Sequence, residues 1–257
     1  MAVANEQFVA EALRLVAEAA VDGIRLRILG SLAYRLHCPE NLELFDKMER
    51  DLTDIDFAAE KSQTREIRQF LTDRGYSEDL KITIATEGSR LYFEHPETSL
   101  GVDVFFDELY FCHRIPFRGR LELDEPTIAT TDLLLEKMQI VEINLKDIKD
   151  TIVLLIEHDI AASRNGRETI DGSYVTGLLS DDWGFYFTVT QNLKKVKRFL
   201  PQFDSVSPGQ AIVVERRIDA LLDSLEQVPK SRKWRLRAKI GTKKRWYQEV
   251  AAKESGF

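Results

Sequence analysis

Apolar positions along this chain recur with two periods, and the order in which the periods alternate predicts its architecture. Between residues 4 and 22, Phe8, Leu13, Val16 and Ala20 fall at helical spacing and Asp22-Gly23 closes the segment, so an amphipathic helix is expected. Residues 25–29 read as a short strand that delivers Gly30-Ser31. A helix begins over residues 32–36 and Pro39 ends it early. A second strand-like run carries Asp54-Ile55-Asp56-Phe57. Residues 62–74 then place Ile67, Phe70 and Leu71 on one helical face, closed by Gly75. Three further strands are expected at 81–86, 90–94 and 102–106, punctuated by Gly88-Ser89 and His95-Pro96. Residues 107–126 read as a connector with one strand around 119–123.

Beyond that point the pattern is helical. Thr130-Thr131-Asp132 is a helix-start cluster, followed by Leu133, Leu134, Leu135, Met138 and Val141 on a stripe. Further helices are expected at about 146–158, at 187–200 with Pro201 as its stop, and at 209–225. Residues 164–184, richer in Gly, Ser and Asp, read as a link between two helical subregions. Strands interleaved with helices, then helices alone, predict an α/β chain. Its small mixed sheet lies in residues 1–125 and its helical region in 126–257.

Chemistry enters where acids interrupt the apolar strands. In an extended strand the side-chain period is two, so Asp54 and Asp56 share one face while Ile55 and Phe57 take the other. Two carboxylates so placed can hold Mg2+ together with phosphate oxygens if a third acid completes the cage. Asp103 is the candidate, a lone acid in the apolar run Gly101-Val-Asp-Val-Phe-Phe106. A buried acid there is costly unless it is hydrogen-bonded or metal-bound. Backbone N–H groups at the helix start after Gly30-Ser31 can receive a triphosphate oxygen. With 20 Asp in 257 residues, about 1.6 Asp-x-Asp pairs arise by chance, so the conjunction of parts carries the argument.

Gly30-Ser31, Asp54-Ile-Asp56 and Asp103 together resemble the signature of the polymerase-beta-like nucleotidyltransferase superfamily. Arg50-x-x-Thr53-Asp54-Ile55-Asp56-Phe57 looks most like the bacterial branch that includes toxins of type IV abortive-infection systems. The resemblance covers about residues 25–150, and the gap between Ser31 and Asp54 is longer than in minimal members, so residues 37–49 read as an insertion. It implies a small mixed-sheet nucleotidyltransferase core, 1–125, followed by a helical C-terminal region. The implied activity is transfer of a nucleoside monophosphate from a nucleoside triphosphate to an acceptor, with two Mg2+ ions, or Mn2+, held by Asp54, Asp56 and Asp103. Gly30 and Ser31 would position the phosphates. In that branch a Lys on a Leu-rich helix, with acids downstream, belongs to the site; Lys137, followed by Asp147 and Asp150, fits that order at a shorter spacing. Lys137 also reads simply as a solvated lysine beside an apolar stripe.

The acceptor stays open: a small metabolite or antibiotic hydroxyl, a tRNA 3′ end or a protein side chain. So do two other roles, a toxin paired with an antitoxin protein and a non-catalytic nucleotide-binding module.

Composition narrows the rest. The apolar share of 44% and charged share of 31% are ordinary for a globular protein. No apolar run approaches a membrane span and no basic-then-apolar leader opens the chain, so no membrane partner and a cytoplasmic location are expected. Cys38 and Cys112 read as reduced thiols. Neither sits with a histidine at zinc-like spacing, and His37, His95, His113 and His158 read as structural.

The formal charge of -7 conceals one basic run, KSRKWRLRAKIGTKKRWY from Lys230 to Tyr247. Its nine cations between Lys230 and Arg245, with no acid among them, leave the remainder of the chain at -16. Trp234, Trp246 and Tyr247 among those charges read either as a stacking surface for an RNA acceptor or as anchors of a terminal helix whose basic face is solvated.

Overall fold

The computed structural model describes residues 5–163, 166 and 168–249. Its centre is a five-stranded mixed sheet. Helix α1 (Asn5–Val21) leads into β1 (Arg27–Leu29), α2 (Gly30–His37) and α3 (Leu42–Lys47). Strand β2 (Ile55–Ala59), helix α4 (Thr64–Asp73), β3 (Ser77–Glu78), α5 (Leu80–Ala85), β4 (Arg90–Glu94) and β5 (Gly101–Phe106) follow. The strand order is β1-β2-β5-β4-β3, with β2 and β5 parallel and the other pairs antiparallel.

Strand β5 is buried at all six positions, which explains its near-continuous apolar run. Register matters most at one row: Asp56 on β2 lies opposite Leu29 on β1 and opposite Asp103 on β5. A hairpin of β6 (Glu108–Tyr110) and β7 (Arg114–Pro116) then leads to the helices.

Helix α6 (Thr130–Met138) is buried at every residue, because it packs against α2 as well as α7 (Leu145–Glu157), α8 (Gly172–Asp181) and α9 (Trp183–Phe199). The two-residue strands β8 (Ile160–Ala161) and β9 (Ile170–Asp171) lie between α7 and α8. Helix α10 (Pro208–Gln227) and α11 (Arg232–Ile240) complete the order. Side-chain caps start these helices: Asn144 with Asp147 for α7, Asp171 for α8, Asp182 for α9, and Ser207 with Gln210 for α10. One apolar cluster runs from Phe8 in α1 through the sheet to Leu225 in α10. Among the described residues no helix is long and apolar enough to cross a membrane.

Several elements differ from the pattern-based expectation. Residues 81–86 form a helix, α5, rather than a strand, because the Asp79 carboxylate accepts from the Lys81 N–H and starts a turn. The alternation of Ile82, Thr83 and Ile84 mimics a strand, but none of α5 is buried and Ile84 is 76% exposed, so no core face exists for a strand to serve. Residues 119–123 form turns instead of a strand; the pairing there belongs to β6 and β7. The supposed link at 164–184 contains α8 and the start of α9, since Asp171 and Asp182, read as loop residues, are helix caps. The stripe after Thr130 stops at Met138, before Val141. Residues 37–49 include α3, whose Leu44 and Phe45 are buried.

Candidate functional site

Asp54 stands just before β2 and Asp56 is its second residue, one rung from Asp103. Donor oxygens of the three lie within 4.8 Å of one another. Thr53 Oγ1 donates to Asp54 at 3.1 Å. Arg90, across the ladder on β4, grips both oxygens of fully buried Asp103, with its Nη2 at 2.8 Å. Each carboxylate oxygen has two acceptor positions, so this grip orients Asp103 and leaves lone pairs for a cation.

The three acids do not tolerate one another. Burial, then the charges of Asp54, Asp103 and Glu136, hold the Asp56 carboxyl well above the usual carboxylate range, with Lys137 pulling the other way. Oxygen donors converging on one point with a proton retained against repulsion fit a hard divalent cation such as Mg2+.

Gly30 opens α2 against this cluster. Its φ is +70°, and a Cβ added there would stand 2.2 Å from Asp56 Oδ2, so both backbone conformation and close approach require glycine. The Gly30 N–H donates to Glu136 Oε2 at 3.1 Å, and Ser31, the next residue, is buried in the first turn of α2.

Lys137 is buried, not solvated. Its Nζ lies 3.3 Å from Glu136, 3.4 Å from Asp147 and 3.5 Å from Asp150. Burial alone would favour the neutral amine, but Glu136, Asp147 and Asp150 outweigh it and push its pKa far up, so Lys137 is a fixed cation. Asp150 is shared: Arg50 Nε and Nη2 each reach it at 2.8 Å.

Of the residues singled out in the sequence, the structure brings Asp54, Asp56 and Asp103 together with Gly30 against Asp56, and it groups Lys137 with Asp147 and Asp150. Sequence reasoning missed Arg90 and Glu136, which carry no motif of their own. Arg50 was visible only as the first letter of Arg50-x-x-Thr53-Asp54. A cleft of about 430 Å3, lined by Ser89, Arg90, Phe105, Tyr110 and Phe111, opens beside the Arg90–Asp103 pair.

No protein-family model matches this chain, and no curated protein or solved structure does either. The likeness to nucleotidyltransferases therefore rests on the residues just described.

The basic run begins as a helix, α11, which carries Trp234, and continues past it through Trp246 and Tyr247; its tryptophans are engaged inward. Trp234 meets Tyr186 edge to face, Arg237 lies over Trp183 at 4.8 Å, and Trp246 packs on Phe187 while its Nε1 donates to Thr188 at 3.1 Å. Lys233, Arg235 and Lys239 stay exposed. The anchoring reading accounts for both tryptophans.

Two outcomes follow from this geometry. Gly30→Ala should lower unfolding stability by about 1–3 kcal/mol, the scale of a forced left-handed residue, and weaken Mg2+ binding; a urea melt and a Mg2+ titration check it, and an unchanged pair of values contradicts the packing argument. Because folding raises the Asp56 pKa, this group favours the folded state at low pH and disfavours it once pH climbs through the raised value. Mg2+ relieves that penalty, so it should raise Tm more at about pH 8 than at about pH 5.5, by about 3 °C or more, the shift of roughly 1 kcal/mol in a protein of this size. Thermal melts with and without Mg2+ at both values test it, and equal shifts contradict it.

Proposed function

We propose that this protein is a metal-dependent nucleotidyltransferase that moves a nucleoside monophosphate from a nucleoside triphosphate to an acceptor hydroxyl. The convergence of Asp54, Asp56 and Asp103 in front of the glycine-opened start of α2 carries the reading. Mg2+ held there supplies charge neutralisation for the triphosphate and acidifies the acceptor hydroxyl.

The remaining work falls to the chain. Asp54, Asp56 and Asp103 would hold the ions, and Asp103, oriented by Arg90, would take the acceptor proton. Ser31 presents its backbone N–H to a phosphate oxygen, while Gly30 keeps the approach clear of side chain. Lys137 is a permanent positive charge close enough to Asp56 to lower its proton affinity, and it offsets negative charge as pyrophosphate leaves. The cleft beside Arg90 gives the acceptor room.

Label transfer from each of the four α-labelled nucleoside triphosphates, with Mg2+ or Mn2+, into total RNA and separately into a small-metabolite extract tests this. Wild type should label one acceptor class, and Asp56→Asn, which keeps size but removes a ligand charge, should lose about 100-fold or more. A folded Asp56→Asn protein with unchanged transfer overturns the mechanism. Nucleotide binding without transfer by wild type replaces it with a regulatory module.

An RNA acceptor is favoured by one observation, the exposed cations on the outer face of α11. Replacing Lys233, Arg235 and Lys239 together with Gln should weaken RNA binding and reduce the slope of log affinity against log salt by about 2. Labelled RNA would also bring forward the toxin reading, with an antitoxin as partner. Unchanged RNA binding leaves the small-molecule acceptor ahead.

A further inference from the structure

A second cluster of ligating side chains lies at the opposite end of α2. His37 is the last residue of α2 and His158 is the residue after α7; they are 121 apart in sequence, both buried, with ring centroids 6.0 Å apart. Glu168 reaches them from the segment before β9. Its Oε2 lies 2.9 Å from His37 Nδ1 and 3.6 Å from His158 Nδ1, and donor atoms of the three residues lie within 4.8 Å of one another.

The far side of each ring decides what the near side can be. His37 Nε2 lies 3.1 Å from the Ile128 carbonyl and 2.6 Å from Thr127 Oγ1, and His158 Nε2 lies 2.9 Å from the His37 carbonyl. A carbonyl oxygen only accepts, so each Nε2 can carry the ring hydrogen. On the near side His37 Nδ1 faces the Glu168 carboxylate and His158 Nδ1 lies 2.9 Å from the Glu168 carbonyl, so each Nδ1 also has an acceptor before it. A cation binds here by replacing the protons on those two nitrogens, and the Nε2–H bonds then keep the rings in place. Ring N–H groups tied to backbone carbonyls are also what orients histidine ligands in metal sites. Oxygen and nitrogen donors at 2.9 and 3.6 Å bracket the spacing of about 3.3 Å between ligands of a tetrahedral ion bound at 2.0–2.1 Å.

We infer that His37 Nδ1, His158 Nδ1 and the Glu168 carboxylate form a binding site for Zn2+, separate from the aspartate cluster. Two imidazoles and a carboxylate are borderline donors suited to a late first-row ion rather than to Mg2+. Cys38 is not in the set: its Sγ lies 3.8 Å from Nε2 of His158, on the ring edge turned away from Glu168. The ion would tie the end of α2, the end of α7 and the segment leading to β9. It is a clamp on the two helices that carry Gly30 at one end and Asp147 and Asp150 on the other.

The test uses the whole chain, stripped of metal with a chelator and titrated with Zn2+ against a chromophoric competitor in a millimolar excess of Mg2+, which keeps the aspartate cluster filled. One Zn2+ per chain is expected, with Kd of about 1 µM or tighter, and a rise in Tm on loading. Glu168→Gln changes a half-exposed side chain, so folding should survive, and Zn2+ affinity should fall by about 10- to 100-fold or more. Asp56→Asn should bind Zn2+ as wild type does, which separates this site from the transferase reading. Cobalt(II) loaded in place of zinc should give visible bands that Glu168→Gln alters and Asp56→Asn does not. Absence of binding tighter than about 10 µM, binding untouched by Glu168→Gln, or binding lost in Asp56→Asn would each overturn the inference.

Discussion

Repulsion among Asp54, Asp56 and Asp103 is the constraint on which the rest of this structure turns. Parallel pairing of β2 with β5 places Asp56 directly beside Asp103, and backbone hydrogen bonds prevent either from moving away. A carboxylate in an apolar sheet must be neutralised by a proton, a hydrogen-bonded cation or a metal. The chain uses different answers for different members. Asp103 takes Arg90, Asp56 keeps a proton more tightly than a solvated acid would, and Asp54 sits at the strand entrance with Thr53 donating to it. Arrangements that hold like charges together at a standing penalty are characteristic of sites that bind a counter-charge.

That penalty reaches into the helical region. Glu136 and Lys137 are adjacent on α6, a helix buried at every residue, and they reach the start of α2 and α7 respectively. Glu136 takes the Gly30 N–H, and Lys137 is caged with Asp147 and Asp150, the latter shared with Arg50 in the segment between α3 and β2. Buried ion pairs of this kind are weak as sources of net stability, because desolvation consumes most of their attraction. Their effect is geometric: α6 and α7 fix where the positive charge stands relative to Asp56. The helical region is therefore part of the electrostatics of the aspartate cluster.

How much of this the sequence disclosed depends on the range of the interaction involved. The sheet strands bearing Asp56 and Asp103 were legible because their alternation and apolar runs are local, and Gly30 because its turn follows a strand directly. The strand expected at 81–86 failed on burial, which alternation does not encode, and α8 failed because Asp171 was weighed as a loop former rather than a cap. Lys137 stayed open between a site residue and a solvated lysine because one helix stripe says nothing of the helices packed around it. Arg90 entered only through the β4–β5 ladder, and Glu136 only through its bond to Gly30, 106 residues away. His37 and His158 read as structural, and the meeting of two residues 121 apart leaves no spacing to recognise.

Helix α2 joins these observations. At its start the backbone is pressed on Asp56 with no room for a Cβ, and at its end His37 meets His158 and Glu168. Between them Tyr34 donates to the Leu133 carbonyl on α6, and Arg35 donates to the Arg50 carbonyl at 2.7 Å. Arg50 in turn holds Asp150 on α7. An eight-residue helix has little rigidity of its own, since most helical stability comes from tertiary packing. Its start can stay pressed on Asp56 only if its other contacts hold it there. The polar contacts along α2, from Gly30 to His37, do so together with Leu32 and Ala33 in the apolar core, and seven of its eight residues are buried, Arg35 and His37 included.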